Sequence, residues 1–169
     1  MFCNYSEGYN TALTQAPVLP ATTLADKCYS GMFSDCNSLT EAPELPATTL
    51  ADKCYSGMFQ GCTSLTQAPA LPATTLADSC YNGMFDYCES LTQAPALPAT
   101  TLADSCYRYM FRGCTSLNSI NVNFSAWNPT NATENWVTYV VDPGTFTCPE
   151  GLPVEFGESR IPDGWSVNP

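Results

Sequence analysis

Histidine is absent from the chain, and basic residues are scarce: 5 of the 169 residues are lysine or arginine, against 16 aspartates and glutamates. The resulting net charge of −11 argues against nucleic acid as a partner, because its binding rests on cationic neutralisation of phosphates. Anionic membrane surfaces are disfavoured for the same reason. The sequence has no uninterrupted run of about 18 apolar residues, so it predicts no membrane insertion.

Sequence motifs for catalysis are also missing. Without histidine, general acid–base chemistry would depend on carboxylates, and no pair of them stands out in the sequence as an acid and a base. The serine motif G-x-S-x-G, the P-loop and the G-x-G-x-x-G fingerprint are absent. We therefore predict that the chain is not an enzyme and that it uses no cofactor.

The chain does contain a tandem repeat. The segment LPATTLAD begins at Leu19, Leu45, Leu71 and Leu97, so successive copies follow at one constant spacing. From Leu13 onward, four blocks follow without a gap, each reading L-T-x-A-P-x-L-P-A-T-T-L-A-D-x-C-Y-x-x-M-F-x-x-C-x-S. A period in the twenties is typical of small strand-plus-helix units that bury their apolar faces by stacking on one another. The pattern therefore predicts an α/β solenoid of four repeats.

Within a repeat, the spacing predicts a helix after the proline-rich stretch. In the second repeat, Thr49 and Asp52 have the form of a capping box. Apolar residues then recur at three- and four-residue steps through Phe59, as in an amphipathic helix. Stacked aspartates can also share a calcium ion, but the helix dipole favours a capping role. We predict the same role at the equivalent positions, which are Thr23, Asp26, Thr75, Asp78, Thr101 and Asp104.

Eight cysteines form two ladders in the repeat register: Cys28, Cys54, Cys80 and Cys106, and then Cys36, Cys62, Cys88 and Cys114. Zinc is disfavoured, since no C-x-x-C pair and no histidine is present. On one helix, cysteines eight residues apart would lie about 12 Å from each other, beyond disulfide reach. The second ladder, near the strand, leaves disulfides across repeats open. The favoured interpretation is a set of small buried hydrophobes without metal.

The end of each repeat resembles a known family. The phrase M-F-x-x-C-x-S-L, as in Met58 to Leu65, is similar to A-F-x-x-C-x-x-L of the BspA-type leucine-rich repeats. These occur in surface proteins of gut and oral bacteria and in phages of gut Bacteroidetes. Residues Leu117 to Val122 resemble the family's strand L-x-x-I-x-I, whereas the earlier repeats have Ala-Pro there. The resemblance implies a leucine-rich-repeat-like, right-handed superhelix with capping ends, and adhesion or protein binding at an exterior surface.

We predict three segments: a degenerate half-repeat cap at 1–12, four repeats at 13–116, and a last strand with an aromatic cap at 117–169. The terminal units of a stack must differ, because one face of each has no neighbour. The tail holds all three tryptophans, so it is expected to be a hydrophobic lid or a carbohydrate-stacking site. Within it, 131–137 is predicted as a short helix, and 144–148 and 154–156 as strands.

Differences between the repeats gather on the predicted helix exterior and in the loop that follows it. The fourth repeat carries Arg108, Tyr109 and Arg112, and four-residue spacing puts the two arginines on one helix face. Tyr87 of the third repeat is expected nearby. Arginine and tyrosine are favoured at binding hot spots, so these four residues are the candidate contact site.

These observations predict a non-enzymatic binding or adhesion module that engages a protein or a glycan through an extended repeat surface. The expected location is extracellular, at the bacterial surface, or alternatively on a virion. The start, from Met1 to Tyr5, lacks the features of a signal peptide, so we expect a fragment, a mature form or an export route not encoded here. The alternative function is a structural spacer with no ligand, and the oligomeric state stays open.

Overall fold

The computed structural model describes residues 13–129, 131–141 and 143–169. Three short strands form one parallel sheet in the order β1–β2–β3: β1 (Ser119–Asn121), β2 (Thr145–Thr147) and β3 (Ser166–Asn168). Ser119 pairs with Thr145, and Thr145 pairs with Ser166. The described residues contain no helix. The predicted α/β solenoid of strand-plus-helix repeats is therefore wrong, and so is the leucine-rich-repeat-like superhelix.

A ribbon of overlapping turns stands where each helix was predicted. The N–H groups of Cys28, Ser30 and Met32 donate to carbonyls three residues earlier, with N···O distances of 3.1–3.2 Å. The same alternation continues to residue 36 and recurs in 51–62, 77–88, 103–114 and 131–140. We call each of these segments a turn ribbon. Every second N–H group of a turn ribbon thus closes a turn within its own repeat.

The other N–H groups of a turn ribbon bond to the next repeat. Tyr29 donates to the carbonyl of Cys54 and Phe33 to that of Met58, both at 2.9 Å, and five such bonds join the first turn ribbon to the second. Bonds with the same offset along the chain continue as far as the one from Gly113 to Thr138, at 2.8 Å. Because buried backbone groups need partners, this division between two repeats satisfies the ribbon without a helix.

The backbone conformation explains why a helix does not form. Every fourth residue of the first ribbon is left-handed: Lys27, Gly31 and Asp35 have φ of 57°, 60° and 60°. An L-residue helix excludes such angles, and glycine inside a helix costs about 1 kcal/mol. The buried residues repeat with the same period, as Cys54 and Met58 do. A period of four is close to the 3.6 of an α-helix, which is why the apolar spacing suggested one.

Two columns of stacked rings form the centre of the repeats, with centroids of neighbouring rings 5.6–6.0 Å apart: Tyr29, Tyr55, Tyr81 and Tyr107, and Phe33, Phe59, Phe85 and Phe111. Trp136 closes both columns, 6.4 Å from Tyr107 and 6.0 Å from Phe111. The cysteines and methionines of the second, third and fourth repeats are fully buried beside the rings. Burial of these side chains is the main apolar contribution to stability.

The T-x-A-P segments pair only at isolated points. Glu41 bridges to Gln67, and Gln93 to Ser119, both in parallel. Proline cannot donate to a ladder, and each of the four repeats has a proline two residues after this point. The first three-residue strand of the described chain is β1, where the sequence has Ile120 in a proline-free stretch.

The tail continues the ribbon instead of forming the predicted helix at 131–137. Residues 131–140 close alternate turns, and Tyr107 donates to Ala132 at 2.9 Å. Of the two predicted strands, the one at 144–148 is confirmed as β2, and the one at 154–156 is wrong apart from an isolated bridge between Phe156 and Ile161. All three tryptophans are buried, and the indole N–H of Trp136 donates to the carbonyl of Arg160 at 2.6 Å. The predicted cap at 1–12 lies outside the described residues.

Substituting two left-handed glycines tests the turn ribbon. A Cβ at Gly113 (φ 72°) would meet Cδ1 of Tyr87 at 2.6 Å, whereas a Cβ at Gly83 (φ 61°) meets its nearest neighbour at 3.8 Å. We expect Gly83→Ala to lower the free energy of unfolding by about 1 kcal/mol, from backbone strain alone. Gly113→Ala should cost at least about 1 kcal/mol more, from overpacking. Urea denaturation measures both.

A Tyr87→Gly background is the control for steric contact, because it should remove the difference between the two alanine variants. Equal losses for Gly83→Ala and Gly113→Ala in the parent chain would contradict the arrangement of Tyr87 over Gly113.

Candidate binding site

The structure brings together the four residues that the sequence predicts as a contact site. Tyr87, Arg108, Tyr109 and Arg112, here called the arginine–tyrosine cluster, come from the turn ribbons of the third and fourth repeats. The guanidinium carbon of Arg112 lies 5.4 Å from the ring centre of Tyr87 and 4.5 Å from that of Tyr109. The guanidinium carbon of Arg108 lies 4.6 Å from the Tyr109 ring centre. The four residues thus form one continuous cation–π arrangement.

A buried carboxylate fixes Arg112. Its Nε donates to Oδ1 of Asp86 at 2.8 Å, and its Nη2 to Oδ2 at 2.6 Å. Asp86 is 2% exposed and also accepts from Nε2 of Gln60 at 3.2 Å. The hydrogen bond to Asp86 is the main cause of a raised pKa for Arg112. Bidentate charge-assisted bonds of this kind set orientation as well as energy, so the guanidinium plane is held in place.

Gln60, Asp86, Arg112 and Thr138 occupy the same position in four successive units. The first three are joined by side-chain hydrogen bonds. Thr138 is 8% exposed, and its hydroxyl has no hydrogen-bond partner among the described residues. This polar column therefore ends in an unpaired buried hydroxyl.

Arg108 is held more loosely. Its Nη2 donates to the hydroxyl of Tyr109 at 2.9 Å and to Oε1 of Glu134 at 3.1 Å. The side chains of Arg108 and Glu134 are 35% and 42% exposed, so the ion pair contributes little to stability, on the order of 0–1 kcal/mol. The hydrogen bond from Arg108 orients the side chain of Tyr109. The ion pair with Glu134 neutralises the charge of Arg108, the second arginine of the cluster.

Both tyrosines of the cluster have left-handed backbones, with φ of 58° at Tyr87 and 56° at Tyr109. Most other repeats place glycine at these positions: Gly61 and Gly113 correspond to Tyr87, with Asp35 as the exception in the first repeat, and Gly31, Gly57 and Gly83 correspond to Tyr109. A left-handed non-glycine residue costs about 1–3 kcal/mol. The fold accepts glycine here, so these two aromatic side chains are a departure that the backbone does not require.

A third left-handed tyrosine lies beside the cluster. Tyr139 (φ 67°) stands one repeat length after Gly113 and is 63% exposed. With the cluster it borders a groove of about 270 Å³, which is lined by Tyr87, Tyr109, Arg112, Asn135, Thr138, Tyr139 and Glu158. Asn135 and Tyr139 were not among the predicted contact residues, because the sequence motif ends at 116 although the repeat register continues. Counting one repeat length onward from Gly113 and Tyr109 would have found Tyr139 and Asn135.

Two larger clefts lie between T-x-A segments. One, of about 470 Å³, lies between Thr14–Ala16 and Thr40–Pro43. The other, of about 360 Å³, lies between Thr66–Ala68 and Thr92–Ala94. Their lining residues recur almost unchanged in every repeat, and water can fill polar gaps of this kind. The tyrosine-lined groove is the more specific candidate, since its residues distinguish one end of the stack.

The predicted capping role of the Thr and Asp pairs is wrong, because no helix begins there in the described chain. The backbone carbonyl of Asp52 accepts instead from the N–H of Lys27, and that of Asp78 from Lys53. Thr23 and Thr49 form an isolated parallel bridge. No group of three or more histidine, cysteine or acidic side chains within the described ranges could hold a metal ion.

The ladder cysteines are free thiols except for Cys36, which is disulfide-bonded. Cys28 is exposed, and the other six free ladder thiols are buried. In the second ladder, Sγ of Cys62 donates to the carbonyl of Phe33 and Sγ of Cys88 to that of Phe59, both at 3.1 Å. Burial raises the pKa of Cys54 to about 11 and that of Cys62 to about 12. These two thiols are therefore protonated and unreactive at neutral pH.

Neither a protein-family model, nor a curated protein, nor a solved structure matches the chain. The part of the chain that the structure describes has no helix with the length and apolar character to cross a membrane.

Alkaline pH should weaken the fold through its buried thiols. Folded Cys54 holds its proton up to about pH 11, whereas an unfolded cysteine releases it near 9.0. The stabilising contribution is therefore complete below pH 9 and is lost as the pH rises through 9 toward 11. We expect Cys54→Ala to make the fall in unfolding free energy between pH 8 and 10.5 shallower, by up to about 1.4 kcal/mol per pH unit. Met58→Leu, which removes no titrating group, should keep the parent slope.

Replacing Tyr109 with glycine should leave stability nearly unchanged. The substitution relieves about 1–3 kcal/mol of left-handed strain. It removes two cation–π contacts worth about 0.5–1 kcal/mol each and one hydrogen bond worth about 1 kcal/mol. We expect the unfolding free energy of Tyr109→Gly to lie within about 1 kcal/mol of the parent value in urea denaturation. Tyr107→Gly, in the buried column, should lose at least about 3 kcal/mol, and similar losses for both would contradict the prediction.

Proposed function

We propose that the chain is a non-enzymatic binding module that engages a protein or a glycan through the arginine–tyrosine cluster and its groove. One observation carries the proposal: Tyr87 and Tyr109 are left-handed tyrosines at positions where the other repeats mostly have glycine. Strain that the fold does not need is typical of functional positions. Here it places aromatic side chains at one end of an otherwise uniform stack.

The residue types of the cluster and the fixed position of Arg112 support a role in binding a ligand. Tyrosine and arginine are enriched among the residues that dominate binding energy. Arg112 is already fixed by Asp86 and lies between two rings, so a ligand would lose little side-chain entropy on contacting it. Pre-ordering of this kind improves affinity by lowering the cost of association.

Display at an exterior surface, bacterial or virion, is part of the proposal. It rests on the likeness of Met58–Leu65 to the repeat motif of BspA-type surface and phage proteins. The net charge of −11 supports a partner other than nucleic acid.

The alternative is a spacer with no ligand, which the near identity of the first three repeats favours.

A paired substitution separates binding from spacing. The double variant Tyr87→Gly/Tyr109→Gly carries the glycines of other repeats and keeps the turn ribbons. Adherence of parent and variant would be measured on immobilised host proteins, a glycan array and bacterial cells. We expect the parent to bind at least one surface and the double variant to bind at least about 10-fold more weakly, as for hot-spot residues.

The matched control is Lys27→Ser/Lys53→Ser, which places the serine of the third and fourth repeats at two exposed positions. Its binding should equal that of the parent. Absence of binding by the parent, or equal binding by the tyrosine double variant, would contradict the proposal. A structural spacer without a ligand would then be the remaining function.

A further inference from the structure

The groove beside the cluster combines aromatic faces with neutral and acidic hydrogen-bonding groups. Tyr87 and Tyr139 are 42% and 63% exposed, and Asn135 and Glu158 lie on the same groove. A ring face packs against the C–H groups of a sugar, and amide and carboxylate oxygens accept from its hydroxyls. This set of side chains matches a molecule with an apolar face and a hydroxyl-bearing rim.

The charge of the groove favours a neutral ligand. Arg112 is the one cation among its described lining residues, and Asp86 occupies its Nε and Nη2. Arg108, in the adjoining cluster, is paired with Glu134. Glu158 adds a carboxylate to the groove wall, and the chain as a whole carries a net charge of −11. An acidic sugar or phosphate would therefore meet repulsion that no free positive charge offsets.

The size of the groove limits the ligand to a small unit. Its volume is about 270 Å³, just below the range of about 300–1,000 Å³ for sites that hold drug-sized molecules. One or two sugar rings at the end of a glycan match this volume.

A second and independent feature is the end of the polar column. Thr138 lies on the groove and is buried, and its hydroxyl lacks a partner in the described chain. Buried hydroxyls are nearly always hydrogen-bonded in native proteins. The equivalent residues Gln60, Asp86 and Arg112 all have side-chain partners, so the unsatisfied hydroxyl of this column lies behind the groove wall, with almost no surface exposed to solvent.

From these features we infer that the groove binds the neutral terminal sugar of a glycan, with Tyr139 and Tyr87 against its ring and Asn135 and Glu158 on its hydroxyls. The inference rests on the proposed binding function and specifies the ligand class for the same site.

The test uses the whole chain and an array that carries neutral glycans ending in glucose, galactose, mannose, fucose or N-acetylglucosamine, with sialylated and sulfated counterparts. The sugar of any positive glycan is then titrated in solution by calorimetry. We expect binding to neutral glycans that is unchanged between about 50 mM and about 500 mM NaCl, since no ion pair to the ligand is made.

Two substitutions leave the backbone geometry intact. Tyr139→Gly introduces the residue found at Gly113, and Asn135→Gly that found at Gly83, so both keep a left-handed backbone without strain. Each should weaken sugar binding at least about 10-fold, the effect of losing a central contact. Lys53→Ser is the control and should bind as the parent does.

Binding restricted to sialylated or sulfated glycans would overturn the inference, and so would neutral-glycan binding that survives Tyr139→Gly and Asn135→Gly. Binding to immobilised proteins alone, lost in Tyr87→Gly/Tyr109→Gly, would overturn the inference while leaving the proposed function in place. If the parent bound neither proteins, cells nor glycans, both would fall.

Discussion

The division of backbone N–H groups between two repeats is the constraint on which the rest of the structure depends. In each turn ribbon, alternate N–H groups bond three residues back, and the others bond to carbonyls of the next repeat. A repeat therefore cannot satisfy its own backbone, and each needs its neighbour. This explains why the tail, whose sequence has lost the repeat motif, still follows the ribbon through residues 131–140: alternate N–H groups of the fourth repeat would otherwise lack acceptors.

The same constraint decides which positions of a turn ribbon can change between repeats. Two of the three side chains between successive left-handed residues point into ring, cysteine and methionine columns that tolerate little change. The left-handed residues vary, since Gly83 and Tyr109 are equivalent, as are Gly61 and Tyr87. The position shared by Ser34, Gln60, Asp86 and Arg112 varies as well. A ribbon of this type can thus gain a binding residue at the cost of local strain, without repacking its interior.

The repeat length, the stacking of equivalent residues and the arginine–tyrosine cluster could be predicted from the sequence, because identical residues one repeat length apart meet identical neighbours. The ribbon could not be separated from a helix by apolar spacing alone, since periods of 3.6 and 4 differ little over a span as short as Cys54 to Cys62. Gly57 and Gly61, four residues apart, were the local sign against a helix, because glycine is unfavourable inside one. The groove was missed because Tyr139 lies in a segment that keeps the register but not the motif.

The left-handed residues at 35, 61, 87, 113 and 139 form one column of equivalent positions. This column limits how often a bulky side chain can recur along the stack. Asp35 leans over Gly61, and Tyr87 leans over Gly113, so that a Cβ at either glycine would collide with the preceding side chain. The column accordingly alternates between large and small residues up to Tyr139. An array built in this way could carry such a tyrosine at most once in every two units, and its valency would grow at half the rate of its length.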